Sequence, residues 1–567
     1  MFTPTLVVSS PDIYPDWHRP FQKISPWGPA RNFEVSFPLQ ATRQRPSAGT
    51  IFMTKVYPHA EPGIQTLLED HARQLRNSSL LHIYSSHEQR NQDLRWCTPP
   101  VSVDLSFQRM NDETLLLLMR LAESKRLKTS INDLFSGKTG LSNKSPSGHW
   151  LLRAQQAPER LAGNVREAKQ QTAKMEEIAS KLRSGLWRGA SGCNITDIVV
   201  LATGGPNMVS KLTARALSSG SGPIKIHFIS ALDGYELAML LQELRARRTL
   251  FVISSRSFTT PDTLSNAHMA LDWLNLNLPN HQDVLKKHFV GISANSEAMD
   301  NFGVYKEHQL KVWEWASGRF SSCSAFSLPL MLESGVTAFH QLLEGACAMD
   351  EHFKAAPLNQ NLPVLLGLCD IWNRNFLRIN NRVVLPYDGR LKHYPQFAAQ
   401  IEMESCGKSS SDKGLDKTAG IIWGQSGSDA RHSIHEFIHN GTESCCCEFL
   451  LTQKAPVTID NQFSKSLEKK HTICRELCLS TAHAFAFENN TSAPQRRISG
   501  TPSTIIELDD LSPKSLGSLI AMQEHRVFVQ SILWNVNPFD QKGIDKDKRS
   551  SHAIYDKHNL NNEGQPG

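Results

Sequence analysis

Asp197-Ile-Val-Val-Leu-Ala-Thr-Gly-Gly-Pro206 decides how this chain folds. The apolar run Ile198 to Ala202 has no polar alternation, so it reads as a strand buried on both faces. The Gly204-Gly205 pair turns the chain, and helical spacing then runs through Leu217. Ile224 to Ile229 is the next strand and Tyr235 to Leu244 the next helix. Thr249 to Ser254 and His288 to Ile292 repeat the theme. A strand–helix rhythm of this kind predicts a parallel sheet covered by helices on both faces. A second, less regular α/β set starts near residue 360, with strands at Val383-Val-Leu-Pro-Tyr387, Gly420-Ile-Ile-Trp423 and Cys447-Glu-Phe-Leu-Leu451. At 567 residues the chain exceeds one ordinary core, which agrees with two large domains.

The regions around these sets read differently. Residues 1 to about 100 are rich in Pro, Gln, Arg and Ser without a sustained period, which predicts an irregular extension with a few helical turns. From about 110 to 185 the spacing is helical, as in Asp112 to Ala122 and Lys174 to Leu182. Gly407 to Gly420 is a polar surface loop, and the tail beyond about 549 is polar and aperiodic.

Ligands of parallel sheets sit at the carboxyl ends of the strands. Two segments fall there: the Gly204-Gly205 turn, and the loop in Phe251-Val-Ile-Ser-Ser-Arg-Ser-Phe-Thr-Thr-Pro-Asp-Thr263. Thr260 is a candidate cap for the following helix, and Pro261 suits its first turn. Free amides there, with the hydroxyls of Ser255, Ser257 and Thr260, would favour an anion, most simply a phosphate. On this stretch alone, an ordinary capped strand–loop–helix junction explains the residues equally well.

Composition narrows the class. Hydrophobic residues make up 40% and charged ones 20%, as in globular enzymes. A net charge of +6, from 61 basic and 55 acidic residues, is too dilute to argue for nucleic acid or a membrane surface. The first ten residues lack a basic n-region, and no apolar run approaches the ~20 residues that cross a bilayer. Eleven cysteines, including the adjacent Cys445, Cys446 and Cys447, show no metal-binding pair and read as reduced thiols of a cytoplasmic protein. His435-Glu-Phe-Ile-His439 matches the zinc-hydrolase pattern, but the continuation that would need a histidine at 445 has Cys445 instead. Gly137-Lys-Thr139 lacks the first glycine of a P-loop, since Asn132 stands there.

Further segments carry chemistry. Trp313 to Ser322 places Arg319 behind a glycine; Gln400-Ile-Glu-Met-Glu-Ser-Cys-Gly-Lys408 offers Glu404; Gly427 to Ser433 offers His432. Phe539-Asp-Gln-Lys-Gly543 through Lys548 offers Gln541 and Lys548. In this order, over roughly residues 105 to 548, the chain resembles the phosphoglucose isomerase family. Trp315-Ala-Ser-Gly-Arg-Phe-Ser321 is similar to one family signature, and Phe539-Asp-Gln541 with Gly543 and Lys548 to another. Leu385-Pro-Tyr-Asp388, Met403-Glu-Ser-x-Gly-Lys408, Ile421-Ile-Trp-Gly424 and Ile438-His-x-Gly-Thr442 also match.

The resemblance implies an α/β fold of two α-β-α sandwich domains of the sugar isomerase type, with a helical N-terminal region and a C-terminal helical extension. The boundaries are an irregular extension at 1–104, a helical region at 105–185, domains at 186–345 and 346–510, and a helical segment with a polar tail at 511–567. It implies an aldose–ketose isomerase interconverting glucose 6-phosphate and fructose 6-phosphate, with neither metal nor cofactor. The implied partners are a sugar phosphate and a second copy of the chain in a homodimer with a shared site. Glu404 would move the proton between C2 and C1 through a cis-enediol, and His432 with Lys548 would open the ring. Arg319 would stabilise the enediolate charge. Gly205, Ser255, Arg256, Ser257, Thr260, Gln400 and Gln541 would hold the substrate. The chain departs from the family at Pro206, where a serine is usual, which removes a hydroxyl and an N–H. The alternative is a weakened relative that binds sugar phosphates or a protein partner; a zinc hydrolase stands third.

Overall fold

Residues 64 to 104, expected to be an irregular extension with a few helical turns, contain three helices (Ile64–Arg76, Leu80–Ser85 and Arg90–Asp93) and also an antiparallel strand pair, β1 (Arg95–Thr98) and β2 (Val101–Asp104). The computed structural model describes residues 63–139, 141–142, 145–220, 222–410, 415–456, 463–487 and 500–540. Residues 1–62, Gln541, Lys548 and the tail lie outside the described residues. After the helical region, which ends in α1 (Ala162–Arg183), β3 (Asp197–Ala202) leads into α2 (Gly204–Ala216) and β4 (Lys225–Ile229). Next come α3 (Tyr235–Glu243), β5 (Thr249–Ser254), α4 (Pro261–Asn277), β6 (Phe289–Ser293) and β7 (Gln309–Lys311). These strands form a fully parallel sheet in the order β4-β3-β5-β6-β7. The chain leaves β3 towards β4 and then returns to its other side at β5, so the order reverses between β3 and β5.

The second sheet follows α5 (Val336–Ala355). It uses β8 (Asn381–Pro386), α6 (Tyr394–Cys406), β9 (Ile421–Gly424), α7 (His435–Asn440), β10 (Cys445–Thr452), α8 (Ser464–Phe487) and β11 (Ser503–Leu508). Its order is β1-β2-β11-β10-β8-β9, with the four later strands parallel and the N-terminal pair added antiparallel along β11. The two α-β-α sandwiches are therefore present, but the N-terminal stretch belongs to the second.

Strand alternation divides the core. In the first sheet Ile198, Val200, Leu250 and Val252 point into a large apolar cluster, while Val199, Leu201, Phe251 and Ile253 point into a second one under α3 and α4. In the second sheet Val384, Leu450 and Ile506 face the large cluster, and Val383, Phe449 and Ile505 face a third under α7 and α8. The same alternation explains the three adjacent cysteines: Cys446 faces one cluster, Cys445 and Cys447 the other.

The C-terminal segment is interior structure. Nearly every residue of α9 (Pro513–Trp534) is buried. It crosses α5 so closely that a Cβ on Gly345 would stand 1.9 Å from Lys514 O, and one on Gly517 2.0 Å from Leu342 O. Only glycine permits that crossing. Residues 345 and 346, drawn as the domain boundary, lie inside α5 rather than in a linker.

Candidate active site

A cleft of about 1380 Å³ opens at the carboxyl ends of β3 and β5, where the strand order reverses. Gly204, Gly205 and Pro206 at the start of α2 form one wall, and Ser255, Arg256, Ser257, Thr259 and Thr260 after β5 form the next. Arg319 and Glu404 complete it, with Asn537, Phe539 and Asp540 at the far end. The chain thus brings Gly205, Ser255, Arg256, Ser257, Thr260, Arg319 and Glu404 together from widely separated positions.

The hydroxyl loop is internally braced. Thr260 sits at the N-cap of α4 with Pro261 next, but its side chain does not cap the helix as expected. Thr260 Oγ1 is hydrogen-bonded to Ser255 Oγ instead, at 2.9 Å. The Phe258 N–H donates to Ser255 Oγ at 3.1 Å, and the Thr259 hydroxyl donates to Ser257 Oγ at 2.8 Å. From below, Ser293 Oγ and the Ala294 N–H donate to Arg256 O at 3.0 and 2.9 Å. Arg256 itself is held across the cleft, its Nη2 donating to Glu314 O at 3.0 Å. The result is a rim of hydroxyls above the amino end of a helix, chemistry suited to a phosphoryl group.

Arg319 sits in the turn Gly318–Phe320 and is only 2% exposed. Its Nε donates to Ser405 Oγ at 2.6 Å, and Nη2 to the carbonyls of Pro538 and Asp540. Nη1 is buried and has no partner. Burial lowers the Arg319 pKa, and the charge of Glu404 opposes that shift. A fixed cation with one unspent donor beside a carboxylate is an arrangement for meeting negative charge on a ligand. Gly205 makes the geometry possible: a Cβ there would lie 3.0 Å from Arg319 N and 3.1 Å from its Cα. Its lack of a side chain therefore has a packing reason as well as the expected binding one.

Glu404 lies in the last turn of α6 and is half-buried. Two residues earlier, Glu402 points inward and pairs with Arg382 Nη2 at 2.6 Å. Arg382 and Arg526 share Asp370 and Glu448 in the same buried network, which anchors α6 to β8, β10 and α9. Lys408 just past α6 donates to Asn537 O at 2.7 Å and pairs with Asp540. Arg319 and Lys408 together tie down residues 537–540, immediately before Gln541. Sequence reading missed Ser405, Lys408 and Asp540 as supports, although the first two lie in a segment already singled out for Glu404.

Two expected residues are not among those that line the cleft within the chain. Gln400 is one turn before Glu404 and stands at the margin of the cleft, its Nε2 3.7 Å from the position of a Cβ on the lining residue Gly204. His432 is exposed in the turn after Gly427–Ala430 and does not line the cleft of its own chain. The zinc-like histidines also have a packing role. His435 and His439 set their rings edge-on against Phe485, at centroid distances of 4.9 and 5.0 Å. Burial, then the neighbouring His439, lowers the His435 pKa to about 4. Among the described residues no group of three or more His, Cys, Asp or Glu side chains is placed to hold a metal ion.

Comparison with known proteins agrees with this geometry. The phosphoglucose isomerase family model matches residues 104–565. The chain belongs to that family. A glucose-6-phosphate isomerase of Psychrobacter cryohalolentis is 38% identical over 502 residues, covering 84% of this chain and 90% of the relative. One from Acinetobacter baumannii is 39% identical over 476 residues, covering 80% and 85%. Among solved structures, a glucose-6-phosphate isomerase from Chlamydia trachomatis superimposes with a TM-score of 0.76 at 25% identity, covering 88% of this chain and 96% of that one.

Proposed function

We infer that this chain is an aldose–ketose isomerase that interconverts glucose 6-phosphate and fructose 6-phosphate. The observation that carries the inference is the meeting of Arg319, with its free buried donor, and Glu404 in a cleft whose opposite rim is the Ser255–Thr260 loop. Nothing in the comparisons favours the binding-only alternative.

In this reading the loop and the start of α4 hold the phosphate, so binding energy far from the reaction orients the carbon chain. Glu404 takes the proton from C2 of the open aldose and returns it at C1. A half-buried carboxylate suits that task if it lies within hydrogen-bond reach of the carbon-bound proton. The charge that builds on the enediolate oxygens meets the guanidinium of Arg319, which is already fixed and needs no reorganisation. Ring opening belongs to His432 and Lys548, and Gln400 and Gln541 help to hold the sugar.

Because His432 is exposed and away from its own cleft, the proposal has it serve the cleft of a second copy in a homodimer. The cytoplasmic setting belongs to the same proposal. Turnover of fructose 6-phosphate by the purified chain, followed in a coupled assay, is the expected result; no turnover at any concentration overturns the function. Mixing Glu404→Gln with His432→Ala chains tests the sharing. Reassorted dimers should regain about a quarter of the wild-type sites, whereas two sites complete within single chains regain none.

A further inference from the structure

The polar groups of the cleft include one that sequence reading gave no role. Ser254 is the last residue of β5, is 1% exposed, lines the cleft, and its Oγ has no hydrogen-bond partner. A buried hydroxyl left unpaired is costly and calls for a partner, and one on a residue that lines a cleft can find it in a bound group. Alternation fixes where it points. Leu250 and Val252 face the large cluster that contains Val209 and Leu212 of α2. Ser254 continues that face, so its hydroxyl stands on the α2 side of the sheet, opposite Ala202 in register and beside the first turn of the helix.

That turn has a gap in its donors. Early amides of a helix have no partner inside it and are free for a ligand. Proline at 206 removes one of them, on a residue that itself lines the cleft. A helix start lacking one donor therefore lies beside a buried hydroxyl with its own donor unused.

We propose that Ser254 is a substrate-binding residue, donating a hydrogen bond to an oxygen of the sugar phosphate at the α2 end of the cleft, where Pro206 gives no N–H. The proposal rests on the isomerase reading above. It differs from the Ser255–Thr260 loop, whose hydroxyls bond one another and reach the cleft from the α4 side.

The test is Ser254→Ala in the full chain, with wild type assayed alongside so that failure of the isomerase reading shows separately as wild-type inactivity. The KM for fructose 6-phosphate should rise about ten-fold while kcat changes less than about two-fold, as for loss of uniform binding. Thermal unfolding without substrate should be unchanged or raised, since the change removes an unpaired polar atom from the interior. Inhibition by inorganic phosphate identifies the acceptor. An inhibition constant that rises with KM places the bond on a phosphoryl oxygen; one that stays constant while KM rises places it on a sugar oxygen. An unchanged KM in a folded Ser254→Ala enzyme overturns the proposal.

Discussion

The two sheets reverse their strand order in the same way, and among the described residues the large open cleft lies at the reversal of the first. Between β3 and β5, Arg319 and Ser254 line a space of about 1380 Å³, and each carries a buried donor without a partner, Nη1 and Oγ. At the carboxyl ends of β8 and β10 the polar groups Asp388, Arg390, Thr452 and His471 bond one another. Thr452 Oγ1 donates to Asp388 Oδ2 at 3.1 Å and is hydrogen-bonded to His471 Nε2 at 3.0 Å. Arg390 Nε and Nη2 grip both oxygens of Asp388, at 2.9 and 2.6 Å. Topology makes a place for a ligand, but polar groups with nothing else to bond make it a site.

The largest expected effect comes from removing the reactive carboxylate on the open side. Glu404→Gln should lower kcat by about a thousand-fold or more while sugar-phosphate binding, measured calorimetrically, persists. The parallel change on the closed side, Asp388→Asn, should leave kcat within about two-fold. Equal losses from both would dissolve the distinction between the sheets. Arg319→Lys should cost about a hundred-fold in kcat, because a lysine cannot supply the fork that holds Ser405, Pro538 and Asp540 while also facing the cleft.

On the closed side the expected effect is on stability. Burial would raise the Asp388 pKa, but the hydrogen bonds and charge of Arg390 prevail and hold it below the ordinary value. A carboxylate with a lowered folded pKa stabilises the protein fully above its unfolded pKa, near 4, and loses that contribution as pH falls through the lower folded value. Asp388→Asn should therefore cost about 1–2 kcal/mol at neutral pH, given that Arg390 is partly exposed, and the difference from wild type should shrink as the pH drops below about 4. Urea unfolding at several pH values measures it. A difference independent of pH would mean that the ion pair does not close this crevice.

Much of the open side was legible because its signals are local. The run from Thr249 to Ser254 is bounded by a triple-Arg segment and a hydroxyl loop, and the strand occupies those residues. Pro261 marks the start of α4 in the same way. Most of the misses come from contacts distant in sequence. β1 and β2 are short and flank Pro99-Pro100, and only pairing with β11, some four hundred residues on, makes them part of a sheet. Thr260 is the local exception: it has the chemistry of a cap, but the residue types do not reveal that the loop folds back to bring Ser255, five residues earlier, to its hydroxyl. The boundary within α5 was invisible for a similar reason, since α9 stabilises that helix from the other end of the chain. The exposure of His432 has no local signal, because such a turn reads alike in either setting, although the family resemblance implies a site shared between two copies.

The smallest effect sharpens the comparison most, because it adds a donor to the open side instead of removing one. Pro206 stands in the first turn of α2, where proline fits the helix and stiffens the unfolded chain. Pro206→Ser should lower stability by less than about 1 kcal/mol while restoring an N–H and a hydroxyl at the cleft wall. If unspent donors define the site, the KM for fructose 6-phosphate should fall about three- to ten-fold with kcat little changed. An unchanged KM would mean that the first turn of α2 does not reach the ligand. The open crevice would then owe its chemistry to the Ser255–Thr260 loop, Arg319 and Glu404 alone.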